Sequence, residues 1–521
     1  MKPERNKNKI PLYIGVVFLL CLIAAELIFI LKLNNGLLVY TLDDPYIHLA
    51  LGENIRHGHY GINTGELSAP SSSILWPFII APFSSFEYAP LIINIAASIA
   101  IIFIFTQILD ASLNTERMKT KNLFTSAIVA LFILTTNIVG ILFTGMEHSL
   151  QVLLVLLVAY GLILEIEKKE TRRWLLAAII AAPLVRYECA SISASAILFL
   201  AARGHIKPAI FSMASISLLV GGFAIFLTSL GLGPLPSSVT AKSSIVQSSG
   251  ALHSVTEGLA RTLDNRQGAI LLLSALILSL YSLMGKDGGR RQISLVAVLS
   301  LFGHFSAGQY GWYNRYEIYA WAFTLVVIMY VFAPPIRKSL ARNDKLSASL
   351  FAIAITVGIA VMAARPYIKG LFSLPLAANN IYQQQYQMHR FAVDYYKKPI
   401  AVNDLGYVAY KNSNHVLDLW GLGSEKALRL RLNEKSGDWM RDISNEANTG
   451  LVMIYQDWFE NVPKEWIKIG ELHLGNKRIT PASNKVAFYA TSSEAKLDIE
   501  EKLRFFITTL PAGVKFIYTK D

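Results

Sequence analysis

Two adjacent carboxylates, Asp43 and Asp44, open the stretch TLDDPYIHLALGENIRHGHYGINTGELSAPSSS from Thr41 to Ser73. A carboxylate within reach of a hydroxyl can take its proton as general base. Two together can hold a hard divalent cation, Mg²⁺ or Mn²⁺, through oxygen. The ordinary reading is a capped loop helix joining two apolar segments. Asp44 suits the N-cap, Pro45 the first helical position, where its missing N–H costs nothing, and Gly58 the stop. Ile47, Ala50, Leu51 and Ile55 then share one side, with His48, Glu53, Arg56 and His57 elsewhere. That pattern is an amphipathic helix suited to a membrane surface.

A second set of polar residues interrupts apolar runs. Glu147 and His148 stand in TGMEH, where Glu147 organises a site or caps the next helix. Arg186 and Glu188 break a long apolar stretch, and ionisable groups at such depth are functional candidates. The guanidinium of Arg186 suits a phosphate, while an Arg–Glu pair stapling two short helices is the competing view. Lys242 lies in LPSSVTAKSS (235–244), and Arg315 in YNRYE (313–317) beside Tyr316 and Glu317. Either cation could meet a lipid-linked phosphate or simply snorkel to headgroups. Asp404 and Asp418 each follow a strand and precede a glycine, which turn chemistry explains.

These residues need elements to hold them. Of 521 residues, 53% are hydrophobic and 16% charged, against about 25% charged in an average soluble protein. This composition predicts a polytopic α-helical membrane protein with one soluble domain. The net charge of +12 is then expected in cytoplasmic loops rather than on a nucleic-acid surface. Cys21 and Cys189 lie in apolar runs and read as small hydrophobes. Ile10 to about Leu33 is long enough to cross the ~30 Å hydrocarbon layer and reads as an anchor. Further runs fall near 88–109, 123–144, 149–166, 174–202 (broken at 186–188), 207–231, 268–285, 293–311, 318–334 and 348–364. Counting the broken run as two helices gives eleven spans. The segment 74–83, short and holding two prolines, reads as interfacial. On that count the basic loops 116–121, 168–173, 202–207, 286–291 and 337–345 are all cytoplasmic. The DD loop, Glu147, Arg186, the 232–267 loop and Arg315 then share the opposite side.

From about Leu374 the pattern changes. IAVND (400–404), HVLDLWGL (415–422), VMIYQ (452–456) and KVAFYA (485–490) read as strands or strand–turn segments. SEAKLDIEEKLRFF (493–506) reads as a capped helix. The expected domains are therefore 1–373, membrane, including the acidic loop 34–87, and 374–521, a small extracytoplasmic α/β domain. There is no GxGxxG and no P-loop.

The chain resembles the GT-C membrane glycosyltransferases that use polyprenyl-phosphate sugars. The resemblance rests on DDPYIHLALGENIRHGHYGIN with SAPSSSILW after one span, then TGMEHSLQVLLVLL, LVRYE, PLPSSVTAKS and RYE in order. AVNDLGYVAY…VLDLWGLGS looks like the C-terminal domain of bacterial members. Tyr187 stands where relatives often have proline, and the acidic pair is Asp–Asp where some branches have Asp–Glu. No WWD signature is present, so transfer to asparagine is disfavoured. The resemblance implies inverting transfer to an extracytoplasmic acceptor, a cell-envelope glycan, lipid or protein, in a bacterial inner membrane with the N-terminus cytoplasmic. Asp43 would be base or metal ligand, with Asp44 second and Glu147 organising the site. Arg186, Lys242 and Arg315 would hold the phosphate, and His48, Glu188, Tyr316 and Glu317 would contact substrate. A carrier or flippase for lipid-linked sugars is the alternative, and it should show paired broken helices and internal symmetry. A receptor reading has no positive feature.

Overall fold

The computed structural model describes residues 9–113, 121–242, 251–334, 358, 361–434 and 436–520. The expected span at 348–364 and the basic loops at 116–121 and 337–345 lie wholly or largely outside the described residues, as does the side chain of Lys242.

Apolar runs become helices where expected. The first helix is Ile10–Leu33, and Ala89–Leu113, His148–Lys168, Ile206–Ser229 and Arg266–Met284 follow. These five are long and apolar enough to cross a bilayer. Arg173–Val185, Ala190–Ala202 and Ile318–Val331 are shorter, so length alone does not establish eleven spans. The run expected at 123–144 is interrupted: Lys121–Thr135 and Ile138–Phe143 meet at Asn137, whose φ is +49°. The 174–202 run is broken at Arg186, as read from sequence. Its halves fold back as a hairpin, because the Ser193 hydroxyl donates to the Ile179 carbonyl at 2.7 Å. Residues 74–83 form only Trp76–Ile80 and one 3-10 turn, Ala81–Phe83, too short to span.

The acidic-loop helix runs Asp44–Arg56, with Gly58 at φ +76° just past its end. It begins one residue earlier than expected. Asp43, not Asp44, is the N-cap, and no side-chain bond to its own helix is made there.

The C-terminal part is built on one mixed six-stranded sheet, β1 (Ile400–Val402), β2 (Val416–Asp418), β3 (Leu451–Ile454), β4 (Ile467–His473), β5 (Lys485–Ala490) and β6 (Lys515–Tyr518), in order β2-β1-β3-β5-β4-β6. β1 runs parallel to β2 and β3, and the other pairs are antiparallel. β1, β2 and β3 are buried on both faces, as parallel strands require. Ile400, Val402, Leu451, Met453 and Phe488 belong to the core shared with the helical bundle. Ala401, Leu417, Val452, Ile454 and Tyr489 form a separate core with Trp439, Met440 and Ile443. Period-two alternation therefore divides each strand between two layers. Helix Ser493–Phe506 matches the sequence reading, and the Ser492 hydroxyl accepts from Ala495 N–H. β4, β6 and the helices Glu425–Asn433 and Asp438–Glu446 were not foreseen.

Helix Arg365–Gln383 runs unbroken through residue 374 and joins the two parts. A row of amides at its end holds the β4–β5 loop. Asn380, fully buried, donates to Lys477 O at 3.2 Å and accepts from Ile479 N–H at 2.7 Å. Gln383 accepts from Gly475 N–H, Gln384 donates to Ser483 O, and Asn379 accepts from Asn476. Asn380→Ala leaves a buried donor and acceptor without partners, each costing about 1–3 kcal/mol. We expect a fall in unfolding temperature together with faster proteolysis inside 474–484, read by limited digestion of the detergent-purified protein.

Candidate active site

The acidic loop is pinned from three directions. Thr41 N–H donates to Phe143 O at 3.1 Å. Gly145, at φ +68°, lets the 144–147 loop pass so close that a Cβ there would stand 2.8 Å from Pro45. The Asn63 carboxamide pairs with both backbone groups of Val416, closing the β2 edge as another strand would. Ser237 reaches Ala69 O and Leu422 O, so PLPSSVT joins the loop to the soluble domain.

At the centre, Asp43 is 6% exposed. Its Oδ2 accepts from Gly406 N–H at 2.6 Å and its Oδ1 from Tyr407 N–H at 2.7 Å. It thus caps the helix Gly406–Ala409 of the soluble domain. A Cβ at residue 406 would lie 2.1 Å from the Asp43 carbonyl oxygen, which explains the glycine. The Tyr46 and Tyr407 rings pack at 3.9 Å beside it. Asp404, read from sequence as a turn residue, hydrogen-bonds the Asp43 carboxyl. Asp404 Oδ2 also accepts from Gln385 at 2.6 Å, with the Tyr455 hydroxyl 3.0 Å away. Burial, then the charges of Asp404 and Asp44, pushes Asp43 well above its ordinary range against the pull of the two N–H groups. Burial likewise raises Asp404. The two carboxyls share a proton and titrate as a pair.

Asp44 faces the other way. Its side chain is 22% exposed, and its Oδ2 meets Arg315 Nη2 at 2.5 Å. Arg315 is 2% exposed, and its Nε and Nη1 have no hydrogen-bond partner among the described residues. The Tyr316 ring lies under the guanidinium at 5.0 Å, and its hydroxyl accepts from Nη2. An unusual turn aims this side chain. Gly311, Trp312, Tyr313 and Asn314 all have positive φ, from +44° to +80°, a strain of about 1–3 kcal/mol per non-glycine residue. Glu317 accepts from Gly311 N–H and Tyr367 OH, Tyr313 donates to Gly370 O, and Asn314 to Pro366 O. Glu317 therefore braces the turn.

Arg186 is differently placed. Its Nε and Nη2 engage both oxygens of Glu188, and its Nη1 reaches Glu147 at 2.9 Å and Ser72 at 2.7 Å. Its fork is largely occupied by carboxylates. Burial alone would raise Glu147, but Arg186, then His148 and His48, hold it down at about 2. His48 Nε2 lies 3.9 Å from Glu147, which ties this cluster to the acidic helix. Lys242 ends the short helix Ser237–Lys242.

The pair Asp43–Asp44 does not form a metal-ligand set as it stands. Asp43 spends both oxygens on backbone N–H groups and Asp44 faces a guanidinium. No three side chains suited to a metal ion come together among the described residues.

Comparison with known proteins adds context. A family model described as a domain of unknown function, DUF8728, matches residues 379–489. No curated protein matches the chain. Among solved structures, the arabinofuranosyltransferase AftD from mycobacteria aligns at TM-score 0.43 and 11% identity, over 91% of this chain and 41% of that one. This chain thus spans under half the length of that enzyme. The oligosaccharyltransferase of Archaeoglobus fulgidus in its apo form aligns at 0.41 and 11%, over 96% and 76%. The same enzyme, AglB, with an inhibitory peptide and a dolichol-phosphate aligns at 0.39 and 11%, over 96% and 76%.

Asp404 is the residue of this centre that turn chemistry concealed. Its trace in the sequence is VNDLGY: an acid between an all-apolar strand and a glycine that needs close approach. The shared proton gives a pH signature. Both folded-state values are raised, so the folded chain holds a proton that the unfolded chain releases above about 3.8, the ordinary aspartate value. That contribution is complete below this value and is lost as pH rises through the raised one. Asp404→Asn supplies an N–H donor that cannot titrate. Its unfolding temperature relative to wild type should climb steadily from pH 5 to pH 8. A difference independent of pH would mean that no proton is shared.

Proposed function

We propose that this chain is an integral membrane glycosyltransferase. It moves a sugar from a polyprenyl-phosphate donor to an extracytoplasmic glycan or lipid acceptor, with inversion. The observation that carries this reading is Arg315: a buried guanidinium with two nitrogens that have no hydrogen-bond partner among the described residues, in direct contact with the partly buried carboxylate of Asp44. Buried donors of that kind call for an anion, and a guanidinium fork matches phosphate oxygens.

In this reading the donor phosphate docks on Arg315 Nε and Nη1. Phosphate oxygens then compete for the cation that holds Asp44, and the carboxylate regains basicity as it is released. The acceptor hydroxyl attacks the anomeric carbon opposite the phosphate through an oxocarbenium-like transition state. The anomeric C–O bond breaks, its electron pair leaves with the phosphate, and Asp44 takes the hydroxyl proton. Asp43 fixes the loop through the Gly406–Ala409 cap, so Asp44 replaces it as the preferred base. Arg186, Glu147 and Glu188 brace the acidic helix, and Lys242 remains a second phosphate candidate. Residues 1–373 form the membrane part and 374–521 an extracytoplasmic domain, in a bacterial inner membrane with a cytoplasmic N-terminus.

The test is transfer from a panel of undecaprenyl-phosphate sugars by the protein reconstituted in vesicles. Asp44→Asn should lower the rate by at least about 100-fold, the usual worth of a general base, in protein that still folds at the assay temperature although Arg315 loses its carboxylate partner. Arg315→Lys should raise donor KM and lower kcat. Wild-type rates in Asp44→Asn would overturn the assignment. Donor that crosses the bilayer unconsumed would point to the carrier instead.

A further inference from the structure

A polar cleft of about 510 Å³ lies between Trp458 and the β4–β5 loop, lined by Asp457, Asn476, Lys477, Arg478, Ser483 and Asn484. Its volume is in the range of small-ligand sites. We propose that it binds the acceptor, as an oligosaccharide carrying acidic groups.

Three features point there. The first is charge. Lys477 and Arg478 are adjacent and exposed; Arg478 donates to Ala482 O, whereas Lys477 has no side-chain partner among the described residues. Side-by-side cations of this kind suit a carboxylate or phosphate. The second is the mixture of amides and hydroxyl from Asn476, Asn484 and Ser483 beside a half-buried indole. Trp458 packs on Trp420 at 4.5 Å and on Tyr455 at 5.4 Å. Arg431 lies 3.8 Å from the Trp420 ring on its other side. An apolar plate flanked by planar donors and acceptors matches a ring that has one apolar face and a rim of hydroxyls.

The third is rigidity and position. Loops longer than a hairpin turn usually move, yet the amides of Asn379, Asn380, Gln383 and Gln384 hold this one at successive points. The same amide row leads to the acidic centre. Gln384 Oε1 lies 2.6 Å from the Tyr455 hydroxyl, which lies 3.0 Å from Asp404 Oδ2, and Asp404 bonds Asp43. The cleft and the centre therefore share one wall.

The word acceptor rests on the glycosyltransferase reading; binding at the cleft does not. The experiment is calorimetric titration of the full chain in lipid nanodiscs with tetragalacturonate, maltotetraose phosphate and neutral maltotetraose. At least one acidic probe should saturate, with maltotetraose at least tenfold weaker. Lys477→Ala, whose side chain has no polar partner among the described residues, should weaken that binding severalfold, and Lys477→Ala/Arg478→Ala at least tenfold. Asp44→Asn should bind as wild type, even though transfer is lost. Failure of every probe to saturate, equal binding of the neutral sugar, or indifference to the lysine and arginine substitutions would overturn the proposal and leave the Asp44 assignment standing.

Discussion

One buried carboxylate joins the two halves of this molecule. Asp43 stands just before the acidic helix Asp44–Arg56, and its oxygens take the backbone N–H groups of Gly406 and Tyr407 in the C-terminal sheet domain. Away from water an unpaired carboxylate is very costly. Those N–H groups at a helix start would be equally unsatisfied without it. Each side therefore needs the other. The contact sets how the acidic helix lies against the sheet, and with it the direction in which Asp44 points.

The two buried arginines show how placement divides structural from chemical roles. Arg186 meets carboxylates from two directions and a serine. Its charge is compensated within the fold, as a buried ion requires. Among the described residues Arg315 meets one carboxylate, and two of its nitrogens have no hydrogen-bond partner. It is aimed by a run of left-handed residues that a relaxed chain avoids. The fold therefore sustains backbone strain around a buried cation that is incompletely compensated among the described residues.

Local features were readable from the chain. Ile10–Leu33, the hairpin break at Arg186, β5 and helix Ser493–Phe506 follow from apolar length, interruption, alternation and capping, all of which sit within a few residues. The acidic helix was legible except for its first residue. The cap preference of Asp44 lost to a tertiary demand, because Asp43 was needed elsewhere. What escaped reading depends on distant partners. Asp404 gains its meaning only from Asp43, and Asn380 only from the loop around Lys477. The turn at 311–314 contains Trp and Tyr, which carry no signal for positive φ, and is held by Glu317 and helix Arg365–Gln383. β4 mixes lysines, glycine and a bulge, which hides its alternation. β6 is a short exposed edge.

The separation of Asp43 and Gly406 along the chain also orders events in time. During synthesis the acidic loop leaves the ribosome hundreds of residues before the backbone groups that will cap it. Arg315, the partner of Asp44, precedes residues 404–407, but until those residues emerge Asp43 lacks the two backbone N–H groups that hold it. The centre is therefore completed last, and an interrupted translation product carries the acidic loop without a working geometry. An incomplete chain therefore carries an acidic helix that has no sheet domain to dock on.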